Sequence, residues 1–222
     1  LMTPSVREIS RAAQSAGLTL PIPELRTFTA NAGEADHAAV QMGVLMADLT
    51  LTSESAPERT DPLLTALRAH LERLSASEDL ILELADLQGE LRAGVLSPPQ
   101  KSQRLDELTA VAIPELQQDW DPWLMPLVQA GSWIETIHLV CLAAAGASDL
   151  EPVAAVLRQP QVIRYFQAYV DPRAHGMSET RLLWQLSQTL AVLAELTAAE
   201  ALTAADLAQI TTQTERVLAE LR

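Results

Sequence analysis

Two short stretches place a glutamate three residues before a histidine: Glu34 and His37 in GEADHAA, and Glu135 and His138 in GSWIETIH. Residues at i and i+3 share a helix face, so each pair could chelate one metal ion. Di-metal carboxylate bundles use this spacing twice and add one glutamate from each of two further helices. Glu8 or Glu24 and Glu83 or Glu107 are available for that part. On this alternative the cofactor is Fe or Mn, held by Glu34, His37, Glu135 and His138. With 4 histidines in the chain and many glutamates, pairs at this spacing also arise by chance, and the leading expectation is no metal and no cofactor. No phosphate-binding loop, dinucleotide fingerprint, zinc-protease motif or nucleophile elbow accompanies them. A catalytic residue is therefore not assigned, and a non-enzymatic protein is favoured.

The acid of the second pair poses a sharper question. Glu135 interrupts a long apolar run, and a buried carboxylate is costly unless it is paired or protonated. A second apolar stretch, AAVQMGVLMADLTLT, has the same grammar, with Asp48 as its one charge and Gly43 five positions earlier. Gly131 stands one turn before Glu135. A residue without a side chain lets another backbone approach closely. The spacing predicts two apolar helices that cross near Gly43 and Gly131, with Asp48 and Glu135 in one interior polar network. Gly43, Asp48, Gly131, Trp133, Glu135 and His138 are the candidate ligand-binding or polar-network residues. The plainer reading of both acids is as buried structural pairs.

The elements that must position these residues read as helices throughout. Thr3-Pro4 predicts a first helix ending at Gly17, followed by an extended LTLPIPE connector. A second helix is expected from about Glu24 to Leu51, with a break near Gly33. Asp61 and Pro62 predict the start of a helix bearing Leu64, Leu67, Leu71 and Leu74. Ser77 opens another with Leu80, Leu84, Leu87 and Leu91, and Gly94 closes it. The central apolar helix is placed at about residues 122 to 145, after a joint containing Trp120 and Trp123. Later helices are expected from caps at Asp149, Ser178 and Thr203. The fold class is all-α: one domain over residues 1–222, an antiparallel bundle of about seven to nine helices. His70 falls among polar positions and is expected in solvent. His175, in a loop, has no acid at chelating spacing.

Composition excludes several partner classes. A net charge of −14 repels DNA, RNA and anionic membrane surfaces. The best candidate for a membrane span, residues 127 to 147, contains Gln129, Glu135 and His138 and reads better as a core helix, so no transmembrane segment is expected. Cys141 is the single cysteine and is expected as a buried, inert thiol, which leaves the compartment open. The chain opens Leu-Met, which is compatible with a signal or lipid-anchor segment having preceded it.

The stretches MGVLMADL and QAGSWIETIHL resemble a group of uncharacterised bacterial all-helical proteins, many of them predicted lipoproteins of Bacteroidota. That group carries a Gly-x4-Asp-Leu pattern on an early helix and Gly-x-Trp-Ile-Glu on a later one. Gly43, Asp48 and Leu49, then Gly131, Trp133, Ile134 and Glu135, match it over roughly residues 35 to 145. His138 departs from it, standing where the group tends to have tyrosine. The resemblance implies a bacterial cell-envelope or periplasmic location, with cytoplasm the alternative, and no settled activity. The expected function is a binding or interaction protein for an unknown protein or small-molecule partner, of undetermined oligomeric state. The di-metal protein and a purely structural scaffold are the alternatives.

Overall fold

Ser5, not the Thr3-Pro4 pair, starts the first helix of the computed structural model. Its hydroxyl accepts from Glu8 N at 3.3 Å, and the Glu8 carboxylate accepts from Ser5 N at 2.7 Å. This reciprocal box satisfies two amides at once. The structure describes residues 3–26, 28, 35–73, 75–97, 100–101, 103–105, 107–108, 123–170 and 180–222. Among these the order is α1 (Val6–Ser15), α2 (Ala35–Ser55), a 3₁₀ turn (Pro57–Arg59), α3 (Thr60–Arg73), α4 (Glu78–Ala93), α5 (Leu124–Ala144), α6 (Glu151–Leu157), α7 (Pro160–Val170), α8 (Arg181–Ala198) and α9 (Ala204–Glu220). No strand occurs among the described residues, and the all-α bundle is the fold. Gly33, Leu74, Trp120, His175 and Ser178 lie outside the described residues.

Several helix ends follow the local code. Ser77 and Thr203 cap α4 and α9, and Gly94 closes α4 in the left-handed conformation, with φ of 66°. Other ends differ from expectation. Leu18 to Arg26 is non-helical throughout, so Glu24 does not open α2. Two prolines in PIPE hold this stretch extended. Asp61 lies inside the first turn of α3, where it holds Arg92 and Gln88 rather than capping. Thr180 caps α8.

The core is built around α2 and α5, the most extensively packed pair of helices. α5 is buried nearly all round, so it carries no amphipathic stripe and is wrapped by its neighbours. α9 lies on α5 and α8, α3 packs on α2, and α1 covers α5 from another side. The leucines expected to face inward do so: Leu64, Leu67, Leu71, Leu80, Leu84 and Leu87 join one continuous apolar cluster. Each such side chain contributes roughly 1.5–3 kcal/mol on burial.

The contact between α2 and α5 is backbone to backbone. A Cβ on Gly43 would collide with the Val128 carbonyl and lie 2.8 Å from Ser132 N. A Cβ on Gly131 would collide with the Val40 carbonyl and lie 3.0 Å from its carbon. The two glycines thus mark the crossing from opposite sides.

A buried acid pair behind an open cleft

Close approach of α2 and α5 brings Asp48 and Glu135 to a single guanidinium, that of Arg26. Its Nη1 lies 2.9 Å from Glu135 Oε1 and 3.4 Å from Asp48 Oδ2. The three side chains are 5%, 1% and 0% exposed for Arg26, Asp48 and Glu135. Arg26 arrives on the extended connector, which Arg59 fastens by donating to the Pro23 carbonyl at 2.5 Å. Phe28, just beyond, meets the His70 ring edge-on at 5.9 Å.

The cluster is short of positive charge. Two carboxylates face one guanidinium in a place where water does not screen them. Among the described residues, Glu135 Oε2, Asp48 Oδ1 and Arg26 Nε have no hydrogen-bond partner, while Glu135 Oε1 meets the Arg26 guanidinium as an ion pair. Orphaned buried oxygens of this kind are rare and costly. Burial first, then the facing Glu135 carboxylate, drives Asp48 well above the usual carboxylate range, against the pull of Arg26. Burial also raises Glu135, against the pull of Arg26 and of the hydrogen bond with Asp48. The arrangement with fewest orphans has one proton on Asp48, donated to an ionised Glu135, with Arg26 balancing the remaining charge.

His138 lies on the same helix one turn beyond Glu135 and belongs to a neighbouring group. Its Nδ1 is 3.0 Å from Thr214 Oγ1, and its Nε2 is 3.3 Å from Glu215 Oε2. With its proton on Nε2 the neutral ring donates to the Glu215 carboxylate, while the Thr214 hydroxyl beside Nδ1 also has the Ile210 and Thr211 carbonyls as acceptors, each at 3.0 Å. Burial and the nearby Arg26 charge push its pKa down to about 4. Arg26 and His138 together form the inner end of a cleft of about 800 Å³. The connector from Pro21 makes one wall, Leu139 and Leu142 another, and the Thr211–Ala219 face of α9 the third. Asp48 and Glu135 sit one guanidinium behind it.

The remaining candidates go elsewhere. Trp133 is buried and donates from Nε1 to Gln159 Oε1 at 2.9 Å, with the Phe166 ring 5.6 Å away, so it packs α5 against α7. Glu34 lies outside the described residues. His37 turns to Asp36, whose other oxygen accepts from Thr180 Oγ1. Of the other glutamates considered as metal ligands, Glu8 closes the α1 cap, while Glu83 and Glu107 both hold Arg104. No group of three His, Cys, Asp or Glu able to hold a metal occurs among the described residues. Cys141 is buried, with its thiol pushed up to about 12.

His70 is buried, contrary to the solvent position its neighbours in sequence suggest. It lies 2.9 Å from the Ala66 carbonyl and 3.0 Å from Gln41 Oε1, and Gln41 Nε2 donates to the Leu221 carbonyl at 2.8 Å. Gln41 of α2 and the Phe28 ring lie against His70, neighbours that a helical wheel of α3 does not contain. Arg26, Thr214 and Glu215 were the participants that sequence reasoning missed. A buried acid calls for a cation, but nothing in the spacing chooses Arg26 from the other arginines. No family model, curated protein or solved structure matches this chain.

Proposed function

We propose that this is a non-enzymatic binding protein whose ligand enters the cleft ending at Arg26 and His138. The observation that carries the reading is the cleft itself: about 800 Å³, reaching inward to a guanidinium that is 5% exposed and tied to two buried acids. A cavity of this size with a few convergent polar groups is the usual form of a small-molecule site. The mouth is apolar, since Ile22 is 44% and Leu142 43% exposed. Reactive groups nearby are poorly poised for catalysis. The Cys141 thiol stays protonated, and His138 is neutral and engaged at both nitrogens. The incomplete pairing of Asp48 and Glu135 favours this reading over a scaffold role, in which a closed and fully satisfied core is expected.

Leu142→Trp tests it. The new ring would fill the mouth from a position already exposed, leaving the core intact. A ligand-observed NMR screen of small amphipathic fragments should give hits on the wild-type protein that the variant loses, with both proteins melting at the same temperature. Hits that survive the tryptophan, or a screen without hits, would place binding elsewhere and end the proposal.

A further inference from the structure

A second cleft, of about 510 Å³, is enclosed by α1, the start of the connector and the last turns of α2. We infer that it binds a small phosphate monoester on a hydroxyl-bearing carbon skeleton, of the sugar-phosphate class. Among the described residues it shares only Pro21 with the cleft at Arg26. Its charge runs against that of the chain, which has 29 acidic and 15 basic residues. Among the described residues its lining holds two guanidinium groups, Arg7 and Arg11, and no carboxylate. Arg7, Ser10, Arg11 and Gln14 follow the i, i+3, i+4, i+7 spacing of one helix face and line the cleft together, while Ile9 and Ala13 are buried on the other side of α1. Two like charges one turn apart destabilise a helix, and an anion between them turns that repulsion into attraction. Glu8, the one acid of α1, feels Arg11 but is bound back on Ser5 in the cap and does not line the cleft.

Donors and acceptors are sorted along this cleft. At the α1 end, Ser10, Arg11, Gln14 and Thr19 make no side-chain hydrogen bond among the described residues, so their donors are open to a ligand. Thr19 stays beside the helix because Leu18 N donates back to the Ala13 carbonyl at 2.9 Å. At the α2 end, the Thr50 and Ser55 hydroxyls give their protons to the Met46 and Leu51 carbonyls, each at 2.8 Å. The oxygens keep lone pairs and face a ligand as acceptors. Ser55 is also the last residue of α2, where the carbonyl end of the helix dipole disfavours an anion and favours a hydroxyl donor. The phosphate group therefore belongs at the α1 end. There the arginine pair matches its charge of about −2 and offers forked donors to its oxygens. The ligand's hydroxyls belong beside Thr50 and Ser55, with Leu20 and Leu51 against its carbon atoms.

The test uses the full chain, ¹⁵N-labelled, titrated with glucose 6-phosphate, inorganic phosphate and glucose at pH 7.5. About 150 mM NaCl shortens the screening length to about 8 Å, so that the charges lining the cleft outweigh the distant acids. Glucose 6-phosphate should move the Ser10, Arg11, Thr19 and Thr50 amides, with inorganic phosphate and glucose each binding at least about tenfold more weakly. Arg11→Gln, at an exposed side chain, leaves the fold intact and should weaken both phosphates about tenfold. Ser55→Ala, also exposed, should weaken glucose 6-phosphate severalfold and leave inorganic phosphate unchanged. Inorganic phosphate binding as tightly as glucose 6-phosphate would overturn the sugar assignment. Shifts that survive Arg11→Gln, or that vanish in Leu142→Trp, would move the ligand out of this cleft and overturn the inference. Silence of the α1 amides with all three probes would also overturn it, and would leave the cleft at Arg26 untouched.

Discussion

Arg26 balances a cluster in which each member has a different cost of removal. Arg26→Ala leaves two buried carboxylates without a cation, and breaking a buried ion pair from one side costs about 3–5 kcal/mol. Glu135→Ala removes the acid nearest the guanidinium and should cost a few kcal/mol for the same reason. Asp48→Asn differs, since asparagine has the shape of the protonated acid already favoured there. It should lie within about 1 kcal/mol of wild type at pH 7. The pH dependence has a definite sign. Asp48 is raised in the folded state, so its contribution to stability is fully present below the ordinary Asp value of 3.8 and is lost as pH rises through the folded value. Wild-type protein should therefore lose ground to Asp48→Asn between about pH 4 and the folded pKa of the pair. Urea unfolding at pH 4 to 8 measures this. A loss above 2 kcal/mol for Asp48→Asn at pH 7 would show instead that ionised Asp48 is what Arg26 requires.

At the scale of elements, the α2–α5 crossing allows no side chain at its centre. Gly43→Ala and Gly131→Ala each drive a methyl group into a carbonyl of the facing helix. Backbone cannot rotate aside as a side chain can, so the helices must part. Overpacking of this kind costs at least about 1–3 kcal/mol. A chain of this length should lose on the order of 5–10 °C in melting temperature, and calorimetry of each variant checks it. An unchanged melting temperature would mean that the crossing yields easily. The crossing was legible in sequence, because glycine and a lone acid are conspicuous in an apolar helix and the two stretches share one pattern. The partner of the acids was not legible. Arg26 comes from a connector 22 residues before Asp48, a stretch without periodicity, and its place depends on Arg59 holding Pro23. His70 was misread for a related reason: burial of one polar side chain on a helix is decided by what the rest of the chain lays over it.

Across the whole molecule, apolar content and acidity are kept apart. α5 is long and apolar enough to cross a membrane by length and composition, alone in this among the described residues, yet 78% of that stretch is buried inside the protein. Its surroundings are protein, which supports its role as the core of the bundle. Among the described residues the acidic groups lie mainly on outer faces, where their mutual repulsion opposes compaction. Raising NaCl from about 20 to 500 mM should increase resistance to urea by on the order of 1 kcal/mol, since the screening length shortens from tens of ångströms to a few. A midpoint that falls with salt would show that surface ion pairs, such as those of Arg104 and Arg92, outweigh the repulsion.

The crossing at Gly43 and Gly131 has one more effect. Two rods that touch along their main chains hold whatever they carry at a fixed separation, as the jaws of a locked caliper do. Asp48 and Glu135 cannot ease their quarrel by drifting apart. Relief has to come from an added charge, and a proton held between the two acids supplies it without moving either helix.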